Sequence, residues 1–170
     1  MAAAVDDIGL RANGLHFHAR VSGPADGPLV VLLHGFPDLS HAWDDVSPLL
    51  AARGFRCVAP DLRGFGTSDR PLSGYDLDTL ATDVAGIVKA CGRERAHVVG
   101  HDWGACIAYH LAATRPELVD TLSITNDPHP IDFLQRVWRP RQLARSWYTL
   151  LFQLPLLPEH WITKDRAAVI

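Results

Sequence analysis

The chain has 170 residues, 48% of them hydrophobic and 21% charged, with a net charge of −3. This balance supports one packed domain and excludes a disordered chain. The 16 Lys and Arg are scattered, which argues against nucleic acid as a partner, and the apolar stretch 148–157 is too short and too broken by Gln153 and Pro155 to span a membrane.

The first residues, Met1-Ala-Ala-Ala-Val-Asp-Asp, contain neither the basic nor the apolar region of a secretory signal, so a cytoplasmic location is expected. Leu15–Val21 alternates like a half-exposed strand and is followed by the turn cluster Ser22–Pro28. Leu29–Leu33 is continuous and apolar, as a central parallel strand buried on both faces would be. Helical spacing follows over Ala42–Ala52, then a short strand at Phe55–Ala59 and an amphipathic helix at Leu77–Ala90. Ala96–Val99 reads as a strand, Ala105–Ala113 as a helix and Leu118–Thr125 as a further strand. Alternating strands and helices predict an α/β fold with a parallel sheet covered by helices. From Pro128 the character changes to a Pro-punctuated segment rich in Trp and Leu, which predicts a second, smaller element. Cys57, Cys91 and Cys106 are odd in number and lie in apolar or helical surroundings, as suits reduced thiols.

Three motifs fall at the carboxyl ends of predicted strands, where open α/β sheets place their sites. They are His34-Gly35-Phe36-Pro37, the run Asp61-Leu62-Arg63-Gly64-Phe65-Gly66-Thr67-Ser68, and Gly100-His101-Asp102-Trp103-Gly104. In the last, glycines flank a sharp strand-to-helix turn that lifts the central side chain above the sheet. That side chain is a carboxylate, ionised at neutral pH, which can attack a polarised sp³ carbon without a base to activate it. Water must then hydrolyse the resulting ester, and this second step needs a general base. The Asp61–Ser68 run lacks the glycine spacing and the following helix of a phosphate loop, so it reads as a structural turn.

In combination the three motifs resemble the α/β-hydrolase superfamily, over a stretch from about Leu15 to the end of the chain. The elbow aspartate is similar to that of epoxide hydrolases and of haloalkane and haloacid dehalogenases. The resemblance implies an α/β-hydrolase fold: residues 1–127 form the N-terminal part of the core and 128–170 begin a helical cap. It also implies that Asp102 is the nucleophile, that the backbone N–H groups of Phe36 and Trp103 form the oxyanion hole, and that His34, Pro37 and Trp103 contact substrate.

Tyr148, followed by Phe152-Gln153-Leu154-Pro155, resembles an oxirane-polarising tyrosine of epoxide hydrolase caps. Its phenol would protonate the epoxide oxygen, a service that a halide leaving group does not need. Asn126-Asp127-Pro128-His129-Pro130 is also similar to epoxide hydrolases, although Asp127 stands where one dehalogenase subgroup carries its acid. The expected substrate is a small apolar epoxide, with an organohalide as the alternative.

A member of this family is expected to carry a late acid and a histidine base. After the elbow this sequence holds only His110, His129 and His160, none at the position of that base. The expectation for these 170 residues is therefore esterification of Asp102 without turnover, and self-association through an open sheet edge. Two other readings are a non-catalytic remnant that binds a partner chain, and a hydrolase whose missing groups come from another polypeptide. Neither half-reaction needs a metal or organic cofactor, and none is expected. His16 and His18 share one strand face without the carboxylate or cysteine spacing of a metal site.

Overall fold

The structure, a computed structural model, describes residues 4–128, 131, 135, 139 and 140. The chain divides into two compact units, Met1–Asp127 and Pro128–Ile170. The first holds six strands: β1 (Val5–Ala12), β2 (Leu15–Ser22), β3 (Leu29–Leu33), β4 (Arg56–Pro60), β5 (Ala96–His101) and β6 (Val119–Thr125). Its helices are α1 (Ser47–Ala51), α2 (Leu77–Ala90) and α3 (Trp103–Thr114). In the second unit, Ile131, Gln135 and Pro140 are helical. Tyr148, His129 and His160 lie outside the described residues.

The strands form one sheet in the order β1-β2-β4-β3-β5-β6. The β1-β2-β4 side is antiparallel, and β4, β3, β5 and β6 run parallel. All five residues of β3 are buried, as a central strand covered on both faces requires. Successive side chains of a strand point to opposite faces. Val31 and Leu33 accordingly pack with Val84, Ile87 and Val88 of α2 and Ile107 and Leu111 of α3, while Val30 and Leu32 meet Trp43, Cys57 and Ala59.

Two elements differ from the sequence expectation. Val5–Ala12 is a strand, joined to β2 by Asn13-Gly14, whose φ values of 52° and 78° suit a tight hairpin turn. The helix expected over Ala42–Ala52 is two pieces, a 3₁₀ turn at Ser40–Trp43 and α1 from Ser47. Pro48 divides them: it has no N–H to continue a helix and its ring would meet the carbonyl four residues earlier, whereas in the first turn of α1 both defects are harmless. The strand at 55–59, the helix Leu77–Ala90 and the strand–turn–helix around Asp102 form where expected. Asp76 caps α2, accepting from the Thr79 amide at 2.9 Å and the Thr79 hydroxyl at 2.8 Å.

Candidate active site

β5 delivers the chain to Asp102 and α3 takes it away again, and the turn between them leaves no room for side chains. A Cβ on Gly100 would stand 2.5 Å from the Gly104 carbonyl oxygen, and one on Gly104 would run into the Leu33 backbone carbonyl. Asp102 itself has φ 51° and ψ −118°, a conformation that L-residues avoid. Such a residue stores on the order of 1–3 kcal/mol of strain and persists only where its surroundings hold it.

The loop after β3 supplies part of that hold. Gly35 lets its backbone pass close to the elbow, since a Cβ there would stand 2.5 Å from Asp102 Cβ. The next amide, Phe36 N–H, donates to Asp102 Oδ1 at 2.9 Å. Trp103 opens α3, so its amide belongs to the first helical turn, where N–H groups have no carbonyl partner within the helix. The structure thus brings Asp102, Phe36 and Trp103 together.

The Phe36 and Trp103 side chains, both about half exposed, wall a cavity of about 280 Å³ that continues over Phe65, Tyr75, Leu80 and Ile107. Phe65 belongs to the Asp61–Ser68 run, whereas Tyr75, Leu80 and Ile107 lie in none of the three motifs. Tyr75 had a faint signal: it packs over Gly64, where a Cβ would stand 2.9 Å from its ring, and it lies between Gly74 and the capping Asp76. Arg63 also borders the cavity, but its guanidinium is committed to the Asp83 carboxylate through two 2.7 Å bonds. Both side chains are buried, so the cavity gains little charge from them.

Pro37 is exposed on the loop after β3, joined to Phe36 by a cis peptide bond. His34 does not reach the cavity, contrary to the expectation that it contacts substrate. It is fully buried, its Nε2 accepts from the Leu62 amide at 3.0 Å, and its Nδ1–H donates to the Gly35 carbonyl at 2.8 Å. An amide on one nitrogen and a carbonyl on the other require the neutral Nδ1–H tautomer. Burial, the leading cause, lowers its pKa below the usual histidine value. His34 therefore ties the loop after β3 to the loop after β4.

The Asp61–Ser68 run is a turn built on inward-facing bonds. Asp61 accepts from the Ser40 amide at 2.8 Å and pairs with His18 Nδ1 at 3.0 Å. Burial pushes the Asp61 carboxyl up, but the Ser40 hydroxyl and amide and the charge of His18 outweigh it, leaving the pKa lowered. His110 pairs with Asp78 at 2.6 Å on the flank of α2 and α3. Among the described residues no group of three or more His, Cys, Asp or Glu could hold a metal ion, and no helix is long and apolar enough to cross a membrane.

Residues 28–155 match the family model described as the alpha/beta hydrolase fold. The chain belongs to the alpha/beta hydrolase family. Within that family it is 43% identical over 155 residues to the AB hydrolase superfamily protein YfhM of Bacillus subtilis (strain 168), with 88% of this chain and 54% of that protein aligned. It is 41% identical over 159 residues to epoxide hydrolase 3 of Xenopus tropicalis, covering 89% of this chain and 42% of the relative. Among solved structures, the epoxide hydrolase of Bacillus megaterium in complex with an inhibitor superposes with a TM-score of 0.89 at 32% identity, over 95% of this chain and 56% of that one. The alpha/beta hydrolase chain thus spans about half the length of the curated relatives it matches.

Proposed function

We propose that this chain carries the nucleophilic machinery of an epoxide hydrolase. The observation that carries the reading is the strained Asp102 with Phe36 N–H on its Oδ1 at 2.9 Å. A carboxylate held by one oxygen presents the other for attack. Asp102 opens the epoxide by forming a C–O bond to a ring carbon; the ring C–O bond breaks, and its electron pair goes to the oxygen, which takes the Tyr148 phenolic proton. Oδ1 then becomes the carbonyl oxygen of an alkyl ester, already placed on the amide that would receive negative charge when water attacks. The Trp103 amide is the second donor, and its ring, with Phe36, holds the substituent of the epoxide.

The cavity's apolar and aromatic walls support a small apolar epoxide as substrate. Relatives named epoxide hydrolase favour an epoxide over an organohalide. Hydrolysis of the ester needs a base; among the described histidines near the site, His34 is buried between two loops, His110 pairs with Asp78, and the His101 ring meets the Asn126 side-chain amide at 3.5 Å. The 170 residues alone are expected to be alkylated once and to stop.

The test is incubation of the chain with an aryl epoxide, followed by intact mass and peptide mapping. One adduct per chain on Asp102, absent from Asp102→Asn, supports the reading. No adduct, with halide released from a haloalkane instead, points to the dehalogenase alternative. Diol accumulating well beyond one equivalent overturns the single-alkylation part.

A further inference from the structure

The ends of β5 and β6 carry a second carboxylate to the elbow. The two strands are parallel neighbours with His101 opposite Thr125, and each is followed by a non-glycine residue of positive φ, Asp102 at 51° and Asn126 at 58°. Both strands therefore turn at the same level, and Asp127 comes to lie beside the first turn of α3. The Cys106 thiol donates to Asp127 Oδ2 at 3.9 Å, while the Cys106 amide donates to the Asp102 carbonyl at 3.2 Å. Cys106 thus touches both aspartates.

We propose that Asp127 is a positioning residue for the attack by Asp102: its carboxyl, held at the end of β6 against the first turn of α3, sets the reactivity of the nucleophile through charge. The inference rests on Asp102 being the nucleophile and adds a residue to that reading.

The titratable groups that act on Asp127 among the described residues are Asp102, Cys106 and His101. Burial first, and then the negative charge of Asp102, push the Asp127 carboxyl above the usual carboxylate range. Burial, followed by the charges of Asp127 and Asp102, likewise raises the Cys106 thiol, so it stays a proton donor. Asp102 is negative before attack. It becomes a neutral ester once its oxygen has bonded to the epoxide carbon and the ring C–O pair has gone to the oxygen, which takes a proton from a phenol or water. A negative Asp127 destabilises the first state and leaves the second nearly untouched, so ionising Asp127 favours attack. By linkage the reverse holds equally: esterification of Asp102 makes Asp127 easier to ionise.

Two measurements on the full chain test this. In an NMR titration with carboxyl-¹³C aspartate, the Asp127 midpoint should fall by about one pH unit in Asp102→Asn, because a like charge has been removed. An unchanged midpoint overturns the proposal. In single-turnover labelling with styrene oxide, the wild-type rate should rise about tenfold as Asp127 ionises, the equivalent of one pH unit of coupling. Asp127→Asn should be slower and flat over that range, and Asp127→Glu should restore the rise. Equal profiles for wild type and Asp127→Asn overturn this proposal and leave Asp102 as nucleophile intact. Absence of labelling in wild type at every pH overturns the nucleophile reading, and this proposal with it.

Discussion

His34 Nε2 accepts the Leu62 amide proton at 3.0 Å, a bond that helps fasten the loop beside Asp102 to the loop that carries Arg63 and Phe65. A fully buried imidazole in this role is replaceable only by something that accepts in the same place. His34→Ala strands the Leu62 amide, leaves the Gly35 carbonyl with the Asp38 amide alone, and opens a cavity. It should lower unfolding free energy by about 3 kcal/mol, measured by urea denaturation.

The same residue gives stability a pH dependence. Burial lowers the folded-state pKa of His34, so the unfolded chain binds the extra proton first as pH falls. Stability from this group is complete above the ordinary value of about 6.5 and is lost as pH drops below it toward the folded-state value. Asp61, whose folded pKa is lowered, acts separately below the usual aspartate value of about 3.9. Unfolding midpoints measured between pH 8 and pH 5 should fall for wild type, and His34→Gln should remove most of that slope.

Asp102 should be a site where stability and activity oppose each other. Its positive φ suits glycine and strains any other residue. Asp102→Gly should be more stable than Asp102→Ala by about 1 kcal/mol, both having lost the bond to Phe36. Neither should be labelled by an epoxide. Equal midpoints for the two variants would show that the elbow is unstrained.

Gly35→Ala tests the close approach of the two loops. The new Cβ would stand 2.5 Å from Asp102 Cβ, so one of the two must move. Displacement of about 1 Å in a reacting group lowers rates by about 100-fold. Labelling of Asp102 should slow to that extent while circular dichroism stays unchanged.

Arg63 and Asp83 form a buried ion pair, and removing one partner strands the other. Asp83→Ala should therefore destabilise by about 3–5 kcal/mol, and Arg63→Met with Asp83→Leu together by less than either change alone. Chemical denaturation of Asp83→Ala, the two single changes and the double variant decides it.

β6 is the end strand among the described residues, with Asp120, Thr121, Ser123 and Thr125 exposed. An end strand presents unpaired N–H and C=O groups to any other strand. Light scattering on the 170-residue chain should show mass rising with concentration, and Ser123→Pro should suppress it. A monodisperse monomer at high concentration would count against association through this edge.

The parts of the fold legible in the sequence are those where one local signal dominates. Leu29–Leu33 is apolar throughout, and Gly100 and Gly104 bracket an elbow that nothing bulkier could form. β1 was harder to see, because Asp6, Asp7, Gly9 and Arg11 hide an edge strand; its true marker is the turn dipeptide Asn13-Gly14. The break at Pro48 was visible but outweighed by helical spacing. Within the site, Asp102, Phe36 and Trp103 follow from motif order. Tyr75 and Ile107 do not, since a cavity wall depends on which distant side chains the packing of α2 against α3 brings together. His34 misleads for a related reason: Phe36, two residues on, borders the cavity while the His34 ring turns inward.

Gly104 lies against the Leu33 carbonyl, and Phe36 reaches Asp102 through its amide, so the groups that place the Asp102 carboxylate are largely main chain. The cavity beside them is walled by Tyr75, just before α2, Leu80 of α2 and Ile107 of α3, side chains that do not belong to that backbone. On the proposed reading, mutation can therefore explore new substrates by trading wall residues while Asp102 stays in register. A lineage built on this scaffold is free to diversify what it accepts long before it must alter how it reacts.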